Sequence, residues 1–358
     1  DDSIFEPGEK IRFFADPRFS RWSNTDTYIL NLDGPAGIHI SSVNDLSPSA
    51  SDGIGIPWTE AILEENNIYT PACYCAPIRQ GRDGDRWVWD HLLYVEPLPN
   101  KPDIPVSEEY KFYVNGLDNT HDSVLRIWPI GQTENISSPN DHRIDLYING
   151  HFLGTRQWDG KDPTDPEQEF VFEFDFSGSF LNEGENILRI SLPGINGVPV
   201  DGIWLDAFSI RYALASDVTV GNSIGFIGKE QVSNYTVTLS SPGLLAYDIT
   251  NPKQPELILT SQFDQITITS PDDGQSHDYW VTTSAAIQAP DDVRQLKPLT
   301  ASTGFAGAEY VMIAPAEFIP SLDPLVVMHQ SNGLGVVVEE VQAIYDTYGG
   351  GRSLPSAI

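Results

Sequence analysis

The chain has 358 residues, with 20 Lys plus Arg against 51 Asp plus Glu and a formal net charge of −31 at pH 7. A field of that sign repels phosphate backbones and anionic head groups, which makes nucleic acid and acidic membrane surfaces poor partners. A hydrophobic share of 40% with 11% aromatics is that of a folded protein, so the acidity belongs to the surface, and the length predicts roughly two to four compact units.

No apolar run approaches the ~18 residues that a spanning helix needs, so no membrane span is expected. Asp1-Asp2-Ser3-Ile4-Phe5 has neither a basic nor an apolar leader, which predicts a signal peptide absent or already removed. Cys73 and Cys75 are two apart, a spacing at which a disulfide is strained, and no second Cys or His pair at ligand spacing lies near them. They are expected to be buried free thiols.

Residues 1–98 read as a β-rich domain. Short β-branched and aromatic runs at 10–14, 27–32 and 38–43 predict strands, and 58–65 reads as a helix. Four prolines between Glu96 and Pro105 fit neither a helix interior nor a central strand, so a linker is placed at 99–106.

Residues 107–215 alternate short strands with turns, at 110–114, 123–128, 143–148, 168–176, 186–192 and 204–212. Period-2 alternation is clean in Phe170-Val171-Phe172-Glu173-Phe174-Asp175-Phe176, as in antiparallel strands with one covered face. Asn149-Gly150 marks a type I′ hairpin. This order of strand, Asn-Gly turn, strand and tryptophan loop resembles galactose-binding-like jelly rolls, a group with many carbohydrate-binding modules and many silent spacers. Two candidate sites follow. Trp158 lies beside a polar loop where an exposed indole would stack on a sugar ring. Asp159, Asp162 and Asp165 cluster on that loop in the way Ca²⁺ prefers, without the order of an EF-hand loop. Asp118, Asn119, Asp122 and Asp141 form a second such cluster, and in a chain this acidic both also arise by chance. Trp22, Trp58 and Trp280 are the other indoles near turns, whereas Trp87, Trp89, Trp128 and Trp204 alternate with apolar residues like core. No histidine falls in an H-x-x-x-H or His/Cys pattern, so none reads as a general base.

Residues 216–305 form a further β-sandwich, with strands at 223–227, 233–239, 244–249, 256–259, 265–269 and 278–283. Domain 1–98 is expected to pair with 217–298 around an inserted jelly roll.

Residues 306–358 change character. An apolar run at 309–314 is closed by Pro315, a helical pattern covers 318–332 up to Gly333, a second apolar run covers 334–338, and 341–348 is helical up to Gly349. Strand, helix, strand, helix is a parallel βαβ unit with helices on both sheet faces. The fold class is therefore mainly β, tandem β-sandwich and jelly-roll domains followed by the first βαβ unit of a caspase-like α/β domain.

Tyr310-Val311-Met312-Ile313, Pro324-Leu325, Gly333-Leu334, Val336-Val337-Val338, Ile344-Tyr345-Asp346, Tyr348-Gly349 and Pro355-Ser356-Ala357-Ile358 resemble the start of the catalytic domain of gingipain-type cysteine peptidases, family C25. Tyr247-Asp248-Ile249-Thr250-Asn251-Pro252 with Pro255 resembles the segment just ahead of that domain, and looser matches run through 5–14, 24–30 and 65–90. The resemblance implies a secreted or cell-surface protein, bacterial or archaeal. It also implies a His/Cys dyad at strand ends later in the catalytic domain, where a thiolate attacks the scissile carbonyl and histidine handles the proton.

No catalytic residue is assigned here, and this polypeptide alone is expected to be inactive. Its role is expected to be that of prosegment, scaffold or recognition module. The partner is the remainder of the peptidase domain, or another chain covering its open sheet, with a surface glycan or protein as a further target. No cofactor is required, and calcium is the ion the acidic loop would take. Two alternatives stand beside this reading: a carbohydrate-binding jelly-roll protein, and a surface or assembly protein of peptidase ancestry.

Overall fold

A computed structural model describes residues 8, 10–15, 26–31, 40–44, 53–70, 82, 86–97, 105–160, 170–215, 222–228, 233–238, 243–259, 265–297 and 307–358. The chain divides into two compact units, Asp1–Phe14 with Ile38–Ile287 and Ala15–Gly37 with Gln288–Ile358.

Among the described residues the first unit is built of β-strands with two short 3-10 turns, Gly178–Phe180 and Ser284–Ala286. Its N-terminal strands are β1 (Ser41–Asn44), β2 (Gly53–Ile54), β3 (Trp58–Glu64), β4 (Ile68–Tyr69), β5 (Trp87–Val88) and β6 (Asp90–Val95). The middle contributes β7 (Val106–Val114), β8 (Ser123–Gly131), β9 (His142–Ile148), β10 (His151–Trp158), β11 (Phe172–Phe176), β12 (Gly184–Leu192) and β13 (Val200–Ala213). Then come β14 (Ser223–Ile227), β15 (Ser233–Thr238), β16 (Leu244–Asp248), β17 (Glu256–Leu259), β18 (Gln265–Thr269) and β19 (Asp278–Thr283).

Among the described residues ten of these strands make one sheet, in the order β1-β17-β16-β19-β14-β3-β13-β8-β11, with β6 also on β13. A four-stranded sheet, β10-β9-β12-β7, and a three-stranded sheet, β18-β15-β2, accompany it. Alternation explains the layering. Tyr110, Phe112, Val114, Ile144, Leu146, Ile148, Leu188 and Ile190 are buried at every second position of the four-stranded sheet, opposite Leu125, Ile127, Phe208 and Ile210 of the large one. Trp89 stacks on Phe208 with centroids 5.4 Å apart, and Phe112 meets Phe208 edge-on at 5.9 Å. Tyr235, Val237, Ile266 and Ile268 of the three-stranded sheet cover Phe226, Ala246, Tyr279 and Val281. The pairing of Ile227 with Trp58 puts Phe226 on the same face as Thr59, which pairs with Tyr212. Both small sheets thus lie on one face of the large sheet, over one continuous core.

The helix expected at 58–65 is a strand. Seven residues of β3 pair with β13, from Trp58↔Ala213 to Glu64↔Ala207, and a ladder to residues far along the chain overrides a local helical pattern. The strand expected at 10–14 is irregular chain, as are residues 27–31 of the expected strand 27–32. Trp87, expected in the core, is 39% exposed. β1 pairs with β17, β2 with β15, and β3 with both β14 and β13, so strands from 1–98, 107–215 and 216–305 share sheets. Most of the proline-rich linker at 99–106 lies outside the described residues.

The second unit contains β20 (Tyr310–Ala314), α1 (Asp323–Ser331), β21 (Val336–Glu340) and α2 (Val341–Tyr348). β20 and β21 are parallel, in register from Tyr310↔Val336 to Ala314↔Glu340. The helix expected at 318–332 begins instead as a 3-10 turn, Ile319–Leu322, because Pro320 and Pro324 have no N–H to give an α ladder. Gly333, at φ +87°, ends the segment in a conformation that a side chain disfavours.

Candidate functional site

In a parallel α/β sheet the reacting groups sit beyond the carboxyl ends of the strands. Here β20 ends on Ala314, followed by Pro315, Ala316 and Glu317, and β21 ends on Glu339-Glu340. His329 is the histidine of this segment, and its ring stacks on Tyr310 with centroids 4.0 Å apart. Tyr310 is the first residue of β20, so His329 lies at the amino end of the strands, away from the catalytic edge of such a sheet. Among the described residues the carboxyl edge therefore presents carboxylates and no nucleophile; Cys73 and Cys75 lie outside the described residues.

Among the described residues the unit's interior is small. Met312, Ala314, Ile344 and Ala357 are buried, whereas Val311, Ile313, Leu325, Val327 and Met328 are exposed along β20 and α1. The best-anchored group is polar. Asp346, from the Ile344-Tyr345-Asp346 motif, has no exposed side-chain surface. Arg294 Nη1 and Nη2 donate to its two oxygens at 2.8 and 2.6 Å, the Lys297 N–H at 2.9 Å and Gln342 Nε2 at 3.0 Å. The Arg294 bonds outweigh the cost of burial and hold the carboxyl far below the usual range. This motif aspartate clasps the strap 294–297 to α2, a structural task that the spacing did not disclose.

The jelly-roll candidates do not converge. Trp158 closes β10 at 8% exposure, its indole packed on His142 at 4.9 Å, Phe172 at 5.4 Å and Phe170 at 6.0 Å, so the expected exposed stacking face is occupied by core. Strand alternation turned Trp158 inward with Ile144 and Leu146, which proximity to a polar loop concealed. Asp159 is exposed, while Asp162 and Asp165 lie outside the described residues. Asp118 bonds its own turn, taking the Thr120 N–H at 3.0 Å and contacting His121 Nδ1 at 3.0 Å. Asp141 is fully buried elsewhere, accepting the Asn135 and Gly160 N–H groups at 2.7 and 2.8 Å. Among the described residues no group of three or more His, Cys, Asp or Glu is arranged to hold a metal ion.

Two histidines that no motif flagged are held between acidic residues. His142, fully buried, places Nδ1 2.8 Å from Asp201 Oδ1 and Nε2 3.5 Å from Asp141 Oδ1. His277 places Nδ1 2.6 Å from Asp248 and Nε2 3.0 Å from Asp273. The partners Asp201 and Asp248 lie 59 and 29 residues away, beyond any local pattern, whereas the i−4 spacing of Asp273 was visible.

Residues 304–358 match the model of peptidase family C25. No curated protein matches the chain by sequence. Among solved structures, dimeric latent PorU from Porphyromonas gingivalis is 13% identical, with a TM-score of 0.58, over 90% of this chain and 29% of that one. This chain thus spans less than a third of that protein's length, and at such identity the likeness is one of fold. The CBM36-1 domain of a multidomain xylanase from the hindgut metagenome of Trinervitermes trinervoides is 19% identical over 42% of this chain and 96% of its own, at a TM-score of 0.23. CBM35 from Cellvibrio japonicus Abf62 is 15% identical over 44% and 99%, at 0.21. Neither of these two scores establishes a shared fold. Over its last 55 residues the chain is similar in sequence to peptidase family C25, and over nine-tenths of its length it is similar in fold to latent PorU.

Proposed function

We propose that this polypeptide is the non-catalytic leading region of a secreted or surface-exposed C25-type cysteine peptidase. The β block serves as scaffold or recognition module, and residues 304–358 open the peptidase domain. The observation that carries this reading is the exposed apolar set Val311, Ile313, Leu325, Val327 and Met328 on β20 and α1. A two-stranded parallel sheet is not stable alone, and parallel strands are ordinarily covered on both faces, so these side chains fit surfaces that further strands and helices of the same domain bury. The chemistry then belongs to a thiolate and a histidine carried by that further part, with the present residues forming the first layer of its sheet. Among the described residues no helix is long and apolar enough to cross a membrane.

The test compares the 358-residue chain with the product of its native gene. The native product is expected to be longer, to cleave peptides in a reaction abolished by thiol alkylation, and to protect 310–314 and 323–331 from hydrogen exchange. The 358-residue chain is expected to cleave nothing and to bind a hydrophobic dye. A native product no longer than this chain, or hydrolysis by the chain itself, overturns the proposal.

A further inference from the structure

The end of β16, the turn 270–277 and the start of β19 meet at one imidazole. His277 Nδ1 lies 2.6 Å from Asp248 Oδ2 and 3.3 Å from Thr250 Oγ1, and Nε2 lies 3.0 Å from Asp273 Oδ2. A carboxylate oxygen can only accept, so both ring nitrogens serve these partners only while both carry a proton. The neutral ring donates from one nitrogen and turns a lone pair toward the other carboxylate.

We propose that His277 is a protonation-dependent clamp, which as imidazolium bridges Asp273 of the 270–277 turn to Asp248 at the end of β16, and on losing a proton keeps Asp248 and frees Asp273. Asp273 is the arm that lets go because its side chain is 41% exposed against 17% for Asp248, so water replaces its bond at less cost. The end of the turn next to the ring stays fastened to a neighbouring strand. The His277 carbonyl accepts the Gly228 N–H at 2.8 Å, and Ser276 Oγ donates to the Gly228 carbonyl, so the same turn fastens the end of β14.

The other groups facing the ring favour the closed form. Asp278, the first residue of β19, adds a further carboxylate, and Tyr279 stacks on the ring at 6.0 Å. Burial alone would disfavour the charged ring, but the bonds to Asp248 and Asp273 outweigh it and raise its pKa above the ordinary 6.5. The sign follows. The clamp's contribution to stability is complete below the ordinary 6.5 of the unfolded chain and is lost as pH rises through the raised value in the folded protein.

The experiment follows the ring by NMR of the histidine-labelled chain from pH 5 to 9, with hydrogen exchange of 225–230 and 270–279 corrected for intrinsic base catalysis. The titration midpoint is expected above 6.5, with protection at Gln275, whose N–H Asp273 accepts at 2.9 Å, falling several-fold in the same interval while Gly228 stays protected. Asp273→Asn is expected to lower the midpoint and to leave the turn open throughout, with β16 still protected. His277→Gln is expected to abolish the pH dependence of exchange. A wild-type midpoint at or below 6.5 overturns the proposal without any variant, and so does an unchanged alkaline loosening in His277→Gln.

Discussion

The β block and the α/β unit obey the same patterning rules and end with different interiors. In the first, three sheets enclose whole aromatic rings, with Phe112, Phe208, Tyr235 and Tyr279 essentially inaccessible. In the second, the ladder between β20 and β21 is as regular as any, yet Val311 and Ile313 face solvent. A strand forms where its backbone finds a partner, and its apolar side chains are buried only where a second layer lies above them. Hydrophobic runs therefore report where strands are, and not what covers them.

The largest effect expected from this contrast is at Phe208. Phe208→Ala removes a ring packed against Trp89, Tyr110 and Phe112 and should cost about 3–5 kcal/mol in equilibrium denaturation followed by tryptophan fluorescence. A loss of under ~1 kcal/mol would mean that the sandwich is not the closed core that separates it from the α/β unit.

The α/β unit should instead be sensitive at its polar clasp. Asp346→Ala strips four donors of their acceptor and is expected to cost about 2 kcal/mol, the range for hydrogen bonds to a charged group. The acid response carries a definite sign. The folded carboxyl is held below its ordinary 3.8, so its contribution is complete above that value and disappears as pH falls further. Melting of this unit between pH 7 and pH 2 should show wild type losing its advantage over Asp346→Asn only at the acid end. A difference that stays constant would assign the clasp to shape rather than charge.

How far the sequence disclosed this arrangement depends on the distance between partners. The βαβ segment was legible because its determinants are local: Val336-Val337-Val338, Gly333 after the first helix, and a second helix observed at 341–348 as expected, although the first helix begins at Asp323 and not at 318. Strands 223–227, 256–259, 265–269 and 278–283 were legible from alternation. The misreading of 58–65 had a non-local cause, since β3 is a strand through its ladder to residues 207–213. Trp158 was misplaced for a related reason, because proximity to a polar loop says nothing about which way a strand residue points. The carboxylate pairs around His142 and His277 each need a partner from a remote strand.

A smaller effect tests how strongly local turn chemistry shapes the β block. Asn149 and Gly150 have φ of +48° and +83°, and nothing lies within 4 Å of a methyl placed on Gly150. Gly150→Ala should therefore cost only backbone strain, about 1 kcal/mol in denaturation. A much larger loss would show that the hairpin also sets the register of β9 on β10.

The smallest effect bears most directly on the contrast. Val327 is 63% exposed on α1, and Val327→Ser in the 358-residue chain should change stability by no more than about 0.5 kcal/mol. The same substitution in a native product that continues the α/β domain should cost about 1.5 kcal/mol or more if a further layer buries that position. Measured by denaturation of the two proteins side by side, the difference between the costs reports whether the exposed face of the second unit is a surface or a core awaiting its other half. Equal and negligible costs would leave Val327 an ordinary exposed residue and remove the ground for a covering layer.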